Sequence, residues 1–106
     1  MISKETNPHL EITWYAAKAA SNLSKHGVSF VLASSVFLDA LALTLFDSAH
    51  SEFEERWFTL GMADTGKPLA LSHTHQSAGP IQVKIRIISA RNATRAERKQ
   101  YENEQR

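Results

Sequence analysis

The chain of 106 residues contains no cysteine, so neither disulfide bonds nor thiolate metal sites contribute to its fold or its chemistry. It also has no apolar stretch that approaches the roughly 20 residues of a membrane-spanning helix. Its first residues, Met-Ile-Ser-Lys-Glu-Thr-Asn-Pro-His, lack the apolar segment of a secretory signal. We therefore expect a cytoplasmic protein that makes no contact with a membrane.

The common cofactor signatures are missing as well. The sequence has no P-loop, no dinucleotide-binding glycine motif, no His-Glu-x-x-His helix and no EF-hand loop. His73 and His75 lie two residues apart, on one side of a predicted strand, and this spacing can hold a metal ion. No third ligand is evident near them, so we expect neither a metal nor another cofactor.

Charge is distributed unevenly along the chain. Residues 1–80 contain five Lys and Arg against eight Asp and Glu, whereas residues 81–106 contain seven basic residues against three acidic ones. A basic C-terminal part in an otherwise acidic chain indicates a local site for phosphate groups. The length suits one domain, which we place at residues 10–106, after a flexible arm at residues 1–9.

The most informative stretch is the apolar and basic run at residues 83–91. Val83, Ile85 and Ile87 alternate with Lys84 and Arg86, which is the period of a strand with one apolar face and one cationic face. We predict that it is a central strand, paired on both sides. The following Thr-Arg-Ala-Glu at residues 94–97 fits a capping box, which predicts a C-terminal helix of about three turns.

The rest of the chain predicts an α+β fold. Residues 10–14 alternate as a first strand, and two helices follow, the first ending at Gly27 and the second, largely buried, at residues 29–38. Three strands precede the central one, at residues 41–46, 56–62 and 69–76, and the run of apolar residues 41–46 predicts a strand covered on both faces. The predicted order is β-α-α-β-β-β-β-α, with a four-stranded antiparallel meander and helices packed on it.

Several acidic, basic and cationic side chains could carry chemistry, but each also has a structural interpretation. Lys18 and Lys25 suit the solvated face of the first helix, and glutamates before a strand suit a loop. Arg56 and Arg86 lie among apolar neighbours on predicted strands, where each needs either a carboxylate or a bound anion as partner. The candidates are Lys18, Lys25, His26, Glu54, Glu55, Arg56, His73, His75, Arg86 and Arg91.

Four blocks of sequence together resemble a known family. They are Lys-His-Gly-Val-Ser-Phe at 25–30, Phe-Leu-Asp at 37–39, Glu-Glu-Arg-Trp at 54–57 with Gly61, and Arg-Ile-Ile-Ser-Ala-Arg at 86–91 with Ala93, Thr94 and Glu97. Taken together they resemble the BrnT family of toxins of type II toxin–antitoxin modules, over nearly the whole chain. The resemblance implies a RelE-like (barnase-like) ribonuclease fold, RNA cleavage that blocks translation, and a BrnA-type antitoxin that joins the toxin in a hetero-oligomer.

The resemblance and the residue patterns described above together give the expected site residues, and the resemblance itself covers Glu55, Arg56, Arg86 and Arg91, followed by Lys25, His26 and His73. Five would form the catalytic face, namely Glu55, Arg56, His73, Arg86 and Arg91, and five would contact RNA, namely Trp14, Lys18, Lys25, His26 and Lys84. We expect metal-independent cleavage in which the ribose 2′-hydroxyl attacks the adjacent phosphate, with Glu55 or His73 as base, arginines on the phosphate, and His26 or Lys25 as proton donor.

Three residues depart from the family pattern. Tyr15 stands where the family commonly has an acidic residue, and His75 and Gln76 stand where it often has an aromatic and a basic residue. These departures leave a second interpretation open, a BrnT-like protein that binds RNA or antitoxin without turnover.

Overall fold

The structure, a computed structural model, describes residues 2–6 and 9–104. Within these residues the chain forms seven strands and three α-helices, with short 3₁₀ helices at Ser35–Leu38 and Ser48–His50. The strands are β1 Ile2–Thr6, β2 Leu10–Tyr15, β3 Leu43–Phe46, β4 Trp57–Met62, β5 Pro68–His73, β6 Gln76–Ser77 and β7 Val83–Asn92. The helices are α1 Ala16–His26, α2 Phe30–Ser34 and α3 Arg95–Asn103.

The strands form one mixed sheet in the order β1-β2-β7-β5-β4-β3, and the short β6 also pairs with β7. β7 pairs with β2 in parallel and with β5 in antiparallel orientation, so the predicted central strand is confirmed. The predicted antiparallel meander is confirmed too, because β3, β4, β5 and β7 pair in succession. The molecule therefore has the expected α+β architecture.

The N-terminal residues differ from the predicted arm. Ile2–Thr6 form β1, which pairs antiparallel with β2 and gives that strand a neighbour on its outer side. Residues 1, 7 and 8 of the predicted arm lie outside the described residues. A strand of five residues with few apolar side chains carries little signal of its own in the sequence, so this pairing could not be predicted.

The prediction that residues 41–46 form a covered strand is wrong. β3 is shorter, Leu43–Phe46, and lies at the end of the sheet, where Leu45 and Phe46 are about half exposed. A continuous apolar run indicates burial on both faces, yet an edge strand has a neighbour on one side only. The apolar run therefore predicts a hydrophobic strand correctly, but it predicts the wrong position for that strand within the sheet.

The core lies between one face of the sheet and the segment that follows α1. Ile85 and Ile87 of β7 contact this core together with Leu69 and Leu71 of β5, and Ile12 continues it onto β2. From the other side α2 and the 3₁₀ helix contribute three buried side chains, Phe30, Ala33 and Val36. The alternation that predicted an apolar face on β7 thus gives the main contact surface of the sheet.

The predicted helix boundaries are confirmed by their caps. Gly27 adopts the left-handed conformation at φ 70°, and its amide donates to the carbonyl of Leu23 at 2.9 Å. The hydroxyl of Ser29 accepts from the amide of Leu32 at 3.0 Å and begins α2. The second predicted helix, however, changes from α to 3₁₀ geometry at Ser35.

One glycine allows the 3₁₀ helix to approach the sheet. A Cβ atom placed on Gly61 of β4 would lie 2.6 Å from Cγ1 of Val36, closer than real side chains come. The adjacent Asp39 side chain accepts hydrogen bonds from the amide of Met62 at 2.8 Å and from the hydroxyl of Tyr101 at 2.6 Å. Asp39 therefore joins the 3₁₀ helix, the sheet and α3.

Helix α1 covers the part of β7 that extends beyond the pairing with β2. The side-chain amide of Asn22 accepts from the backbone amide of Ala90 at 3.0 Å and donates to the Ala90 carbonyl at 2.8 Å. The same amide group donates to the carbonyl of Val28 at 2.9 Å. Asn22 is buried, so a side chain here replaces the backbone partner that a neighbouring strand would supply.

The capping box before α3 is confirmed in both directions. The Thr94 hydroxyl accepts from the Glu97 amide at 3.1 Å, and the Glu97 carboxylate accepts from the Thr94 amide at 2.8 Å. No helix in the described part of the chain is both long and apolar enough to cross a membrane.

Candidate functional site

A polar cleft of about 300 Å³ opens beside the central strand. Arg86 supplies its cationic side chain from β7, and the loop before β4 supplies two carboxylates opposite it. The residues after β5 complete the wall. The lining residues are Glu54, Glu55, Thr74, His75, Gln76 and Arg86.

Arg86 is held by three different contacts. Its Nη2 donates to Oε1 of Glu54 at 2.7 Å, and its guanidinium carbon lies 5.4 Å from the centre of the Tyr15 ring. Its backbone pairs with Thr74, because the Arg86 amide donates to the Thr74 hydroxyl at 3.0 Å and the Thr74 amide donates to the Arg86 carbonyl at 3.0 Å. Glu54 therefore supplies a carboxylate partner for Arg86, one of the two kinds of partner that the sequence left open.

Arg56 lies next to this cleft rather than in its lining. Its Nη2 is 3.9 Å from Oε1 of Glu54, at the outer limit of an ion pair. It lines a second cavity of about 410 Å³ on the other side of Glu54, together with Ala49, His50, Glu52 and Phe53. Glu54 thus stands between the two cavities and contacts an arginine on each side.

His73 does not reach the cleft surface, which corrects its expected role as a base. Its side chain is 1% exposed, Nδ1 donates to the carbonyl of Thr74 at 2.9 Å, and Nε2 lies 2.6 Å from the hydroxyl of Thr59. Burial lowers the pKa of His73 to about 4, and the nearby His75 acts in the same direction. The ring is therefore neutral, and Nε2 accepts from Thr59.

Arg91 is engaged with α3 and does not line the cleft. Its Nη1 and Nη2 donate to the two carboxylate oxygens of Glu97 at 2.7 and 3.0 Å, and its guanidinium lies over the Phe58 ring. Hydrogen bonding to Arg91 lowers the pKa of Glu97 to about 2, and the same bonds raise the pKa of Arg91. The two parallel N–H donors of Arg91, which could bind a phosphate, bind a carboxylate of the protein itself.

Both tryptophans contact neighbouring aromatic rings of the protein. Trp14, which was predicted to contact RNA, is 5% exposed because β2 directs its side chain into the core. There its ring meets the ring of Phe30 edge-on, with centroids 6.1 Å apart. Trp57 contacts Phe46 at 5.1 Å and His75 at 5.7 Å, and its Nε1 is a buried donor with no partner among the described residues.

The predicted RNA-binding residues of α1 meet at a separate place. The exposed side chains of Lys18, Lys25 and His26 line a small cavity of about 90 Å³ beside Ile88 and Ser89 of β7. No carboxylate lies within ion-pair distance of Lys18 or Lys25 in the described part of the chain. Lys84 is exposed on β7, two residues before Arg86, and so on the same face of the strand.

Four cleft residues have no catalytic or RNA-binding assignment from the sequence. Glu54 is a general candidate only, His75 is a general candidate, a possible metal ligand and a departure from the family pattern, Gln76 is such a departure, and Thr74 carries no prediction. The doubled Glu-Glu before Arg56 was the available signal for Glu54, but the sequence does not tell which glutamate faces an arginine 32 residues away. No group of three or more potential metal ligands occurs among the described residues.

These features define a small α+β protein whose central strand presents an arginine to a carboxylate-lined cleft. Residues 14–97 match the family model described as ribonuclease toxin, BrnT, of type II toxin–antitoxin system, and the chain belongs to this family. No curated protein matches the chain.

Proposed function

We propose that this chain is the toxin of a type II toxin–antitoxin module and acts as a metal-independent endoribonuclease that inhibits translation. The observation that carries the proposal is Arg86, a guanidinium at the wall of an open polar cleft that also contains carboxylates and a histidine. This combination supplies an anion-binding group, a base and an acid within one site. Family membership supports ribonuclease activity, and the mechanism is our inference.

In the proposed reaction the phosphate of single-stranded RNA binds at Arg86. Glu55, an exposed carboxylate of the cleft, takes the proton of the ribose 2′-hydroxyl, and the 2′-oxygen forms a bond to phosphorus. The bond from phosphorus to the 5′-oxygen breaks, and His75 gives that oxygen a proton. The products are a cyclic 2′,3′-phosphate and a free 5′-hydroxyl.

In this mechanism the arginines stabilise the negative charge that develops on the phosphorane. Arg86 offers planar donors to two phosphate oxygens, and Arg56 adds positive charge from the adjacent cavity. Lys84 precedes Arg86 on the same face of β7 and extends the cationic path for the RNA backbone. Lys18, Lys25 and His26 line their own cavity and would contact a phosphate further along the strand rather than the leaving oxygen.

We also propose a RelE-like arrangement of the fold and a BrnA-type antitoxin as partner, in a toxin–antitoxin hetero-oligomer. Family membership implies an antitoxin. Acidic residues or a docked helix of that partner would cover the cleft at Arg56 and Arg86. Negative charge on the partner would complement the arginines and prevent cellular RNA from binding there.

The decisive experiment incubates the purified chain with RNA in the presence of EDTA. Cleavage products ending in a cyclic phosphate are expected from the wild type, and Glu55→Gln should bind RNA without cleaving it. Cleavage that stops on addition of EDTA would overturn the metal-independent mechanism.

A second candidate function is binding of RNA or antitoxin without turnover. It is favoured by the internal engagement of two predicted catalytic residues, since His73 is buried and Arg91 is paired with Glu97. Binding of RNA by the wild type without any cleavage product, in the same assay, would select this function.

A further inference from the structure

Glu54 occupies the position at Arg86 where a substrate phosphate would bind. Its Oε1 accepts from Arg86 Nη2 at 2.7 Å and lies 3.9 Å from Arg56 Nη2. A carboxylate oxygen and a phosphate oxygen use the same guanidinium donors at similar distances, so the two anions exclude each other at the bonded donor. A phosphate can therefore take Nη2 of Arg86 only if Glu54 leaves it.

Arg86 is also held by contacts other than its ion pair. The guanidinium lies over the Tyr15 ring, and the Arg86 backbone is fixed to Thr74 by two hydrogen bonds of 3.0 Å. Neither contact involves Glu54. The exchange of one anion for another thus requires movement of the glutamate side chain and not of the arginine.

The loop that carries Glu54 is also held without it. The Ser51 hydroxyl accepts from the Arg56 amide at 3.0 Å, and the Asp47 amide donates to the Arg56 carbonyl at 2.9 Å. The Asp47 carboxylate further binds the ring of His50 at 2.9 Å. These bonds close the base of the loop, so loss of the Glu54 contact does not open it.

A released Glu54 has room and a second partner. The cavity of about 410 Å³ on its other side is lined by Arg56, which already lies 3.9 Å from Oε1. A rotation of the glutamate side chain toward this cavity would exchange a bond to Arg86 for one to Arg56. The carboxylate is therefore not left without a cation when the cleft binds its ligand.

We propose that Glu54 is a built-in competitor for phosphate, which occupies Arg86 in the free protein and moves to Arg56 when RNA binds. This inference rests on the proposed function for its substrate class, the phosphodiester of single-stranded RNA. In this role Glu54 lowers the affinity of Arg86 for any other anion, because a ligand must displace the glutamate before it can bind. Glu55 keeps the separate role of base.

The test compares the wild type with Glu54→Gln and with the matched control Glu102→Gln. Glu102 is an exposed residue of α3 that lines neither cavity, has no ion pair among the described residues and loses the same charge when substituted. The probes are inorganic phosphate and an RNA oligonucleotide with 2′-deoxy positions that prevent cleavage. Affinities are measured by calorimetry on the full purified chain, and circular dichroism confirms that each variant is folded.

The expected result is that Glu54→Gln binds phosphate about threefold to tenfold more tightly than the wild type, the effect of removing one partly exposed ion pair that competes with the ligand. Glu102→Gln should change this affinity by less than about twofold. Equal affinities of the two variants would overturn the inference, and so would weaker phosphate binding by Glu54→Gln.

The RNA probe separates this inference from the proposed function. Tighter phosphate binding by Glu54→Gln together with no RNA binding by any variant would support the competitor role and refute the ribonuclease proposal. Tighter binding of both probes supports both. A third outcome is that Glu54→Gln, with unchanged phosphate affinity, cleaves saturating ribose-containing RNA at least about 10²-fold more slowly than the wild type. Glu54 would then act in the chemical step, and the competitor role would be refuted.

Discussion

Arg86 has a proposed role in anion binding and an observed pair with Glu54, and substitution can separate the two. The Glu54 side chain is 39% exposed, and water therefore screens the pair. Arg86 lies on the polar side of β7, opposite the buried Ile85 and Ile87. We therefore expect its substitution to change anion binding more than the packing of the core.

We predict that Arg86→Ala loses RNA cleavage by a factor on the order of 10² or more, because a donor to the transition state is removed. The free energy of unfolding should fall by less than about 1 kcal/mol. Arg86→Lys should restore little activity, since lysine keeps the charge but not the planar fork. Cleavage rates and thermal melting are measured together, with Arg95→Ala on the exposed face of α3 as control. Melting many degrees lower with unchanged activity per folded molecule would make Arg86 a purely structural residue.

His73 should make the stability of the protein depend on pH. Burial lowers its folded-state pKa to about 4, below the ordinary value of 6.5, so between these values the unfolded chain binds more protons. The stabilising contribution of neutral His73 is complete above pH 6.5 and is lost as pH falls toward 4.

The expected loss is up to about 3 kcal/mol in the free energy of unfolding between pH 7 and pH 4. Urea denaturation across this range measures it, and His73→Asn, although less stable at pH 7, should lose the slope between pH 4 and 6.5. A wild-type slope that persists in His73→Asn would assign the effect to another group.

At the scale of elements, one aromatic contact adds to the packing of the 3₁₀ helix on the sheet, beside Val36 and Asp39. Phe37 meets the buried ring of His73 edge-on, with centroids 4.9 Å apart, but Phe37 itself is only half-buried. A fully buried phenylalanine would cost roughly 3 to 5 kcal/mol on truncation. We expect Phe37→Ala to cost about 2 kcal/mol because part of the ring already meets water.

The matched control is Phe53→Ala, which removes an equal ring that is 94% exposed and should change the free energy of unfolding by less than about 0.5 kcal/mol. Urea midpoints of the two variants give the comparison. Equal midpoints would place Phe37 outside the cooperative core.

Helix α3 is fixed to the sheet at its N-terminal end through one carboxylate, in addition to the Tyr101–Asp39 hydrogen bond. Glu97 closes the capping box with Thr94 and also accepts the fork of Arg91, which is 40% exposed and therefore partly screened. Glu97→Ala should cost about 1 to 2 kcal/mol, of which the cap contributes roughly half. Thr94→Ala should cost less, and Glu102→Ala, on an exposed part of the same helix, almost nothing. Thermal melting orders the three variants, and a loss for Glu97→Ala no greater than for Glu102→Ala would contradict this role.

At the scale of the whole molecule, the open cleft predicts toxicity in the absence of a partner. A cell that produces the chain without an antitoxin should stop growing, and production of Arg86→Ala should allow growth at the same protein level. Culture density and soluble protein are measured in parallel. Unchanged growth with abundant soluble wild-type protein would favour the function without turnover.

Features set by neighbouring residues could be predicted from the sequence. The alternation in β7, the left-handed Gly27 and the Thr94–Glu97 box each depend on a few adjacent positions, and the structure has all three. Arg86 was recognised as needing an anionic partner because the strand pattern placed its charge among apolar neighbours.

Features set by distant residues could not be predicted in the same way. β3 is apolar enough for the interior, and only the order of strands places it at the edge. The sequence shows that His73 has a titratable ring. That the ring is a neutral part of the core follows from its contacts with Phe37 and with the hydroxyl of Thr59, which are distant in the sequence. The choice of Glu54 over Glu55 as partner of Arg86 likewise depends on the path of a loop.

The parallel pairing of β2 with β7 has a consequence for the order in which the cleft is built during synthesis. Leu10–Tyr15 has a nearby antiparallel partner in Ile2–Thr6, but its parallel partner, Val83–Arg86, is made about 70 residues later. The sheet cannot close across β2 and β7 before that segment exists. Arg86 and its hydrogen bond to the Thr74 hydroxyl belong to it, so a nascent chain that has not reached β7 lacks the cationic wall of the cleft.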